Sequence, residues 1–363
     1  MKSRFFSALL LLLVFTSLTS FKPHDPKDKK PVNVILLIGD GMGLSQVSYA
    51  LMMATERLAF ERFKTLGLSK TSAANHKITD SAAGATALSC GAKTNNGAIG
   101  VDVSNLPMTT ILEMAEAKGY VTGMVATCAI THATPASFIA HQPSREMYEE
   151  IAKDFLKTDI DLFIGGGYDH FAKRKDSVDL IAQLKTKGYT VIQSEHELYM
   201  YTGTQKLAAL IAPKHLPKMQ EGRGSFLANS TQLAINKLSK NGTGFFLMVE
   251  GSQIDWGGHA NDAEYIRQEV MDFDLAIAKA LDFATKDGNT LVIVTADHET
   301  GGFALSGNEE DKTQNKVEPK FTTKNHTGVM VPVYAFGPGA ERLGGIYENT
   351  WIFEVMKSSM GLK

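Results

Sequence analysis

The chain has 363 residues, 44% hydrophobic and 21% charged, a mixture that suits a buried core in one large domain or two smaller ones. Its formal net charge of −2 leaves no electrostatic footprint for nucleic acid or an anionic membrane. Any selectivity for an anion must come from a local site.

Residues 1–20, "MKSRFFSALLLLLVFTSLTS", place Lys2 and Arg4 ahead of an apolar run from Phe5 to Phe15 and then small polar residues. That layout predicts a secretory signal peptide, with an uncleaved N-terminal anchor as the alternative, and hence an exported, periplasmic or secreted protein with no membrane span once it is removed. Residues 21–31 read as a polar leader. The run Val32 to Ile38, stopped by Gly39, predicts a strand buried on both faces. Similar runs follow at Val121–Thr127, Asp161–Ile164, Tyr189–Ile192, Leu207–Ile211, Phe245–Val249, Leu291–Thr295 and Val331–Phe336. Amphipathic helical stretches lie between them at Met108–Ala117, Arg145–Leu156, Val178–Leu184, Phe226–Leu238 and Ala263–Ala284. The alternation predicts an α/β fold over residues 32–363: a single domain with a large, mostly parallel central sheet flanked by helices on both faces. Residues 303–325 read as a short surface excursion. Only Cys90 and Cys128 are available for a disulfide, and their small, apolar surroundings favour two buried thiols.

Ligands of open α/β sheets bind beyond the carboxyl ends of the strands. Here those ends carry one consistent chemistry. Asp40 follows the first strand in "GDGMG", Glu250, Asp255 and His259 follow another in "EGSQIDWGGHAND", Asp297 and His298 follow a third in "ADHETGG", and His326 precedes the last. Each alone would pass for a cap or turn residue. Together, four buried carboxylates repel one another, and bound cations relieve that repulsion. Mixed Asp/His sets suit zinc and oxygen-only sets suit magnesium, and the groups suffice for two mixed sites and one oxygen-rich site. Asp255 and His259 can meet one ion from a single helical turn. Asp297 and His298 can share one only if their strand has already ended.

The stretch "ITDSAAGATALSCGAKTNNGAIGVD" (Ile78 to Asp102) is built almost wholly of small residues. It reads as a helix beginning at Ser81, which could be an ordinary N-cap. The same position could present a serine hydroxyl to a phosphate held by the helix-start amides. A serine hydroxyl is a weak nucleophile, and metal ions offer the activation it needs.

The motifs "VILLIGDGMG", "TDSAAGATALSCGAKTNNGAIGVD", "ATPASFIAHQPSR", "VEGSQIDWGGHAND", "TADHETGG" and "NHTG" resemble, in that order, those of metal-dependent alkaline phosphatases. The resemblance runs from Val34 to the C-terminal region and is weakest over Lys157–Asn241. It implies a hydrolase of phosphate monoesters working through a phosphoserine intermediate on Ser81, with Arg145 clamping the phosphate. It further implies one Zn2+ on Asp40, Asp297 and His298, a second Zn2+ on Asp255, His259 and His326, and Mg2+ on Asp40, Thr134 and Glu250. A homodimer is the implied assembly. His132 and Trp256 depart from family members that carry an acidic and a basic residue there. His132 brings an imidazole to the oxygen-rich site and opens it to zinc, and Trp256 removes a cation from beside the phosphate. The competing readings are a phosphodiesterase or a mutase on the same fold, and a non-catalytic phosphate- or metal-binding protein.

Overall fold

Alternation along the first strand sets the architecture. In β1 (Asn33–Gly39), Val34, Leu36 and Ile38 enter one buried apolar cluster while Ile35 and Leu37 enter another on the opposite face. The computed structural model describes residues 33–307 and 317–363; the signal-like segment and the polar leader lie outside the described residues. Along the chain, β1 is followed by α1 (Leu44–Met53), β2 (Thr65–Lys70), α2 (Ser81–Cys90), α3 (Ile111–Ala117), β3 (Val121–Ala129) and α4 (Ala133–Ala136). Next come α5 (Tyr148–Asp154), β4 (Leu162–Gly166), α6 (Tyr168–Ala172), α7 (Leu180–Thr186), β5 (Tyr189–Ile192), α8 (Glu195–Met200) and β6 (Lys206–Ala212). Then follow α9 (Phe226–Leu238), β7 (Phe245–Gly251), α10 (Ile254–Ala260), α11 (Ala263–Asp287) and β8 (Thr290–Thr295). The last part holds β9 (Glu299–Thr300), β10 (Phe303–Gly307), β11 (Val317–Phe321), β12 (His326–Thr327), β13 (Val331–Phe336), β14 (Gly345–Glu348) and α12 (Thr350–Ser359).

Ten strands form one sheet in the order β14-β2-β13-β8-β1-β7-β3-β4-β6-β5. Every pairing is parallel except those of β13, which runs against β8 and β2. The expected sheet and its eight strands are present. The strands β2 and β14, beyond β13 at one end of the sheet, and the helices α1 and α12 add to that expectation. Thr65–Lys70 is half exposed and broken by Gly67, so its apolar pattern is too weak to read alone. The excursion after residue 303 is an antiparallel hairpin in which Phe303 pairs with Phe321. Both cysteines are free thiols, Cys128 buried and Cys90 partly so. Among the described residues no helix is long and apolar enough to cross a membrane.

One buried ionic cluster connects this framework to the strand ends. Arg223, before α9, reaches Glu269 and Asp272 of α11, the latter at 2.9 Å, with all three side chains almost fully buried. Glu269 also accepts from the Met219 amide at 2.9 Å. The cluster thereby pins the segment whose Leu216 carbonyl accepts from Gln253, the residue that begins α10. Burial pushes the Asp272 carboxyl up to about 6 against the lowering pull of Arg223. Replacing Arg223 with Met should leave two buried carboxylates without a counter-charge and cost about 3–5 kcal/mol. Chemical denaturation of Arg223→Met beside the parent chain measures this, and an unchanged midpoint would mean the cluster is not a stabilising anchor.

Candidate functional site

Strand order determines which side chains meet. β8, β1 and β7 are neighbours, and Ile38 lies opposite Thr295 on one side and Glu250 on the other. Neighbouring strands lie about 4.8 Å apart, so Asp40, Asp297 and Glu250 must crowd at one end of the sheet. All three are fully buried. β8 stops at Thr295, so Asp297 and His298 are free of strand geometry and both turn to the same point. His298 Nε2 lies 3.3 Å from Asp297 Oδ2 and 3.6 Å from Asp40 Oδ1. The second expected set also assembles. Asp255 and His259 face one another from one turn of α10 at 3.3 Å, and His326, opening β12, lies 3.6 Å from Asp255. Gly258 lets α10 approach closely, because a Cβ there would come within 2.8 Å of the Thr300 carbonyl oxygen. The two glycines after Trp256 thus serve close packing; the backbone around them stays helical.

The hydrogen bonds at the far side of each imidazole fix what the near side can do. His259 Nδ1 meets the Lys324 carbonyl at 2.5 Å and His326 Nδ1 meets the Thr79 carbonyl at 3.0 Å. A carbonyl only accepts, so each Nδ1 carries a proton, and in the neutral imidazole Nε2 is left with a lone pair; the Asp255 carboxylate beside His259 Nε2 raises that ring's pKa above its ordinary value. Thr300 spends its hydroxyl proton on Asp255, so it accepts from His298 Nδ1 at 3.2 Å, which leaves His298 Nε2 a lone pair as well. Two of these lone pairs then face each other, His259 Nε2 and His326 Nε2, 3.2 Å apart. With both rings neutral that arrangement is repulsive, and a proton or a metal ion between them relieves it. Asp40 Oδ1, Asp297 Oδ2 and Glu250 Oε1 are likewise buried with no hydrogen-bond partner. The donor sets therefore fit metal ions.

Charge follows the same geometry. Burial, then repulsion from Asp297 and the other carboxylates, holds Asp40 well above the usual carboxylate range. Burial, reinforced by Asp255, pushes Asp297 up to about 7. Burial dominates at Glu250, pushed up to about 8. Burial works against ionised Asp255 too, but the His259 hydrogen bond and the surrounding imidazoles hold it below the usual range. Burial, reinforced by His326, keeps His298 neutral far below its ordinary value.

Ser81 is not the cap of its helix. Asp80 takes that position: its backbone is extended and its carboxylate accepts from the Ala83 amide at 3.0 Å. Ser81 becomes the first residue of α2, and its Oγ, relieved of capping, lies 3.2 Å from His298 Nε2. Nothing but small side chains could bring α2 so near the strand ends, since a Cβ on Gly84 would sit 3.0 Å from the Asp297 carbonyl oxygen. Arg145 stands three residues before α5, not at its start, and most of its side chain is covered. Its Nη1 donates to Asp80 Oδ2 at 3.1 Å. One carboxylate therefore caps the serine's helix and holds the arginine.

Thr134, in the short helix α4, donates to Asp40 Oδ2 at 3.3 Å, and Glu250 lies beside them. His132 caps α4, and burial followed by the charge of Arg145 pushes its pKa down to about 3. Trp256 is edge-on to His132 with ring centres 6.1 Å apart and to His215 at 4.9 Å. His215 and Asp80 were not among the expected site residues. Asp80 was legible as the acidic residue ahead of a small-residue helix, whereas His215 lies in the segment of weakest motif content. Cys128 is a buried thiol of the apolar core, as expected, and its sulfur also lies 3.3 Å from Glu250 Oε2.

A family model described as alkaline phosphatase matches residues 31–320 and 308–362. Alkaline phosphatase 3 of Bacillus subtilis is 37% identical over 88% of this chain and 87% of its own length. Among solved structures, the alkaline phosphatase from the Antarctic bacterium TAB5 is 46% identical with a TM-score of 0.88, covering 92% of this chain and 99% of its own. A histidine-to-aspartate mutant of that enzyme with Mg bound in its M3 site superposes with a TM-score of 0.87 at the same identity and coverage.

The raised carboxyls make a prediction for the metal-free chain. Unfolded carboxyls titrate near pH 4, while folded Asp297 and Glu250 keep their protons to about 7 and 8. Between those values these two groups hold more protons when folded; below about pH 6.5 the buried neutral histidines oppose them, and above about pH 7 the carboxyls prevail and stability falls as pH rises. Added zinc should raise the thermal midpoint and flatten that dependence. Thermal unfolding from pH 7 to pH 8.5, with chelator and with zinc, measures both; a metal-free midpoint that climbs with pH over that range would contradict the crowding.

Proposed function

The chain belongs to the alkaline phosphatase family and hydrolyses phosphate monoesters; on that premise we propose that Ser81 is the nucleophile, and that Asp40, Asp297 and His298 on one side and Asp255, His259 and His326 on the other hold the two zinc ions that serve it. The carrying observation is Ser81 Oγ, uncapped at the positive end of α2 and 3.2 Å from the lone pair of His298. Support for zinc comes from the mixed carboxylate and imidazole donors. Asp40, Thr134 and Glu250 form an oxygen set for a third, magnesium-like ion.

Arg145 offers its planar fork to two non-bridging oxygens of the phosphate, as a monoester requires. Asp80 fixes that fork through Nη1 and keeps part of its charge compensated when no phosphate is present. The start of α2 contributes backbone amides and its dipole to the same anion. Ser81 Oγ attacks phosphorus as the ester oxygen departs on the opposite side, leaving phosphate on Ser81. Water then attacks that phosphoserine, the bond from phosphorus to Ser81 Oγ breaks, and inorganic phosphate is released. When bound, two metal ions supply the positive charge that lowers the pKa of an attacking hydroxyl and stabilises a leaving oxygen. His298, His259 and His326 commit their Nδ1 protons to oxygen acceptors, so each has Nε2 as the nitrogen that would ligate a metal ion. The apolar run behind Lys2 and Arg4 supports export.

Hydrolysis of an aryl phosphate monoester beside the matching diester tests the reading. Monoester turnover should dominate, vanish with chelator and return with zinc. Ser81→Ala should lower it by at least about a thousandfold and abolish phosphate labelling of the chain. Diester preference would move the assignment to a phosphodiesterase, and full zinc occupancy without turnover would leave a phosphate-binding protein. Trp256 generates a second expectation. Trp256→Lys adds a cation beside the phosphate and should tighten competitive inhibition by inorganic phosphate; tighter inhibition of the parent chain would contradict this.

A further inference from the structure

Two donor sets share Glu250. One is Asp40 and Thr134, all oxygen. The other is Cys128 and His132, whose ligand atoms lie with that of Glu250 within 4.8 Å of one another. The strand geometry explains the second set. Ala126 pairs with Glu250 across β3 and β7, and Cys128, two residues further, points to the same face. Its sulfur therefore emerges beside the carboxylate at the point where β3 shifts register against β4. His132 follows at the start of α4, reached within one turn of chain.

We propose that this second set captures the third ion, making it a thiolate-ligated zinc bound by Cys128, His132 and Glu250. The proposal rests on Glu250 being a metal ligand, as argued above, and for that ion it puts Cys128 and His132 in place of Asp40 and Thr134 and zinc in place of magnesium. Three observations carry it. Glu250 is wholly buried yet its Oε1 has no hydrogen-bond partner. His132 Nδ1 is buried and unpartnered too, and its other nitrogen has only a marginal 3.5 Å contact with Arg145. Cys128 Sγ lies 3.3 Å from Glu250 Oε2 and 3.2 Å from the Ala129 carbonyl oxygen, so the sulfur sits at the carboxylate itself. Ligand atoms around tetrahedral zinc sit roughly 3.5 Å apart, so closure by about one ångström draws the three onto one ion. A sulfur and an imidazole favour zinc or cobalt over magnesium, which prefers six oxygens. On binding, the Cys128 thiol loses its proton to solvent, and the sulfur–metal bond replaces its contact with Glu250.

The full chain, stripped and refilled with cobalt(II) in the presence of excess magnesium, tests this. The parent chain should show a sulfur-to-cobalt charge-transfer band and hold three cobalt ions per chain. Cys128→Ser should lose the band and one ion, while Cys90→Ser keeps both. Zinc-edge X-ray absorption of the parent chain needs no variant and should place one sulfur scatterer about 2.3 Å from zinc. A parent chain that binds cobalt with no charge-transfer band, or a band that survives Cys128→Ser, would overturn the thiolate ligand and leave the Asp/His sites intact. Failure to bind any cobalt would overturn both.

Discussion

Mutual repulsion among buried carboxylates at the ends of β1, β7 and β8 is the constraint on which the site depends. The register of those three strands puts Asp40, Glu250 and Asp297 together before any other element is considered. Asp255 arrives from the helix that follows β7, so a fourth acid enters the same volume. Removing such groups from water disfavours their charged forms, and each neighbour adds to the penalty. The fold accepts this because the core beneath is complete: each central strand is buried on both faces by separate apolar clusters. Stability stored in the sheet is thus set against a destabilised end, and the end becomes favourable only with cations in it.

The surrounding shell is arranged so that those cations meet prepared donors. Each of the three histidines is fixed through Nδ1 to an oxygen belonging to a different segment, Lys324, Thr79 or Thr300. Their tautomers are therefore set by the fold and not by the ligand. The small-residue helix solves the complementary problem of bringing a hydroxyl to the ions. With Gly84 against Asp297, α2 approaches the strand ends more closely than a helix of bulky residues could. Its cap and its arginine partner are one residue, Asp80, which couples the position of Ser81 to that of Arg145.

Much of this was legible in the chain because strand ends in an α/β sheet are marked by a change from apolar runs to Gly, Asp and His. All eight expected strands occur; Asp40, Asp297 and His298 lie together, as do Asp255, His259 and His326, while Glu250 groups with Cys128 and His132 and Thr134 donates to Asp40. What escaped was of two kinds. The last two strands at one end of the sheet, β2 and β14, are half exposed, so neither carries the continuous apolar run that identifies a buried strand. The roles of Asp80, His215 and Cys128 depend on contacts between distant segments, and local pattern holds no record of them. "TDSAAG" offers two adjacent capping residues, and only the extended backbone of Asp80 decides between them. Cys128 looked like core because three of its neighbours are apolar; the acid it touches is 122 residues away.

His132, His215 and Trp256 form an aromatic wall beside Arg145, which contacts Asp80 and approaches His132 at 3.5 Å. Burial and that same arginine hold His132 neutral, while Trp256 carries no charge at all. Under the proposed reading the protein thus commits a single, partly compensated side-chain cation to the anion and leaves the remaining attraction to the metals and the start of α2. Charge placed on metals acts on the reacting oxygens, whereas charge on a flanking lysine would also strengthen the hold on released phosphate. A neutral aromatic wall consequently weights binding toward the transition state and away from the product.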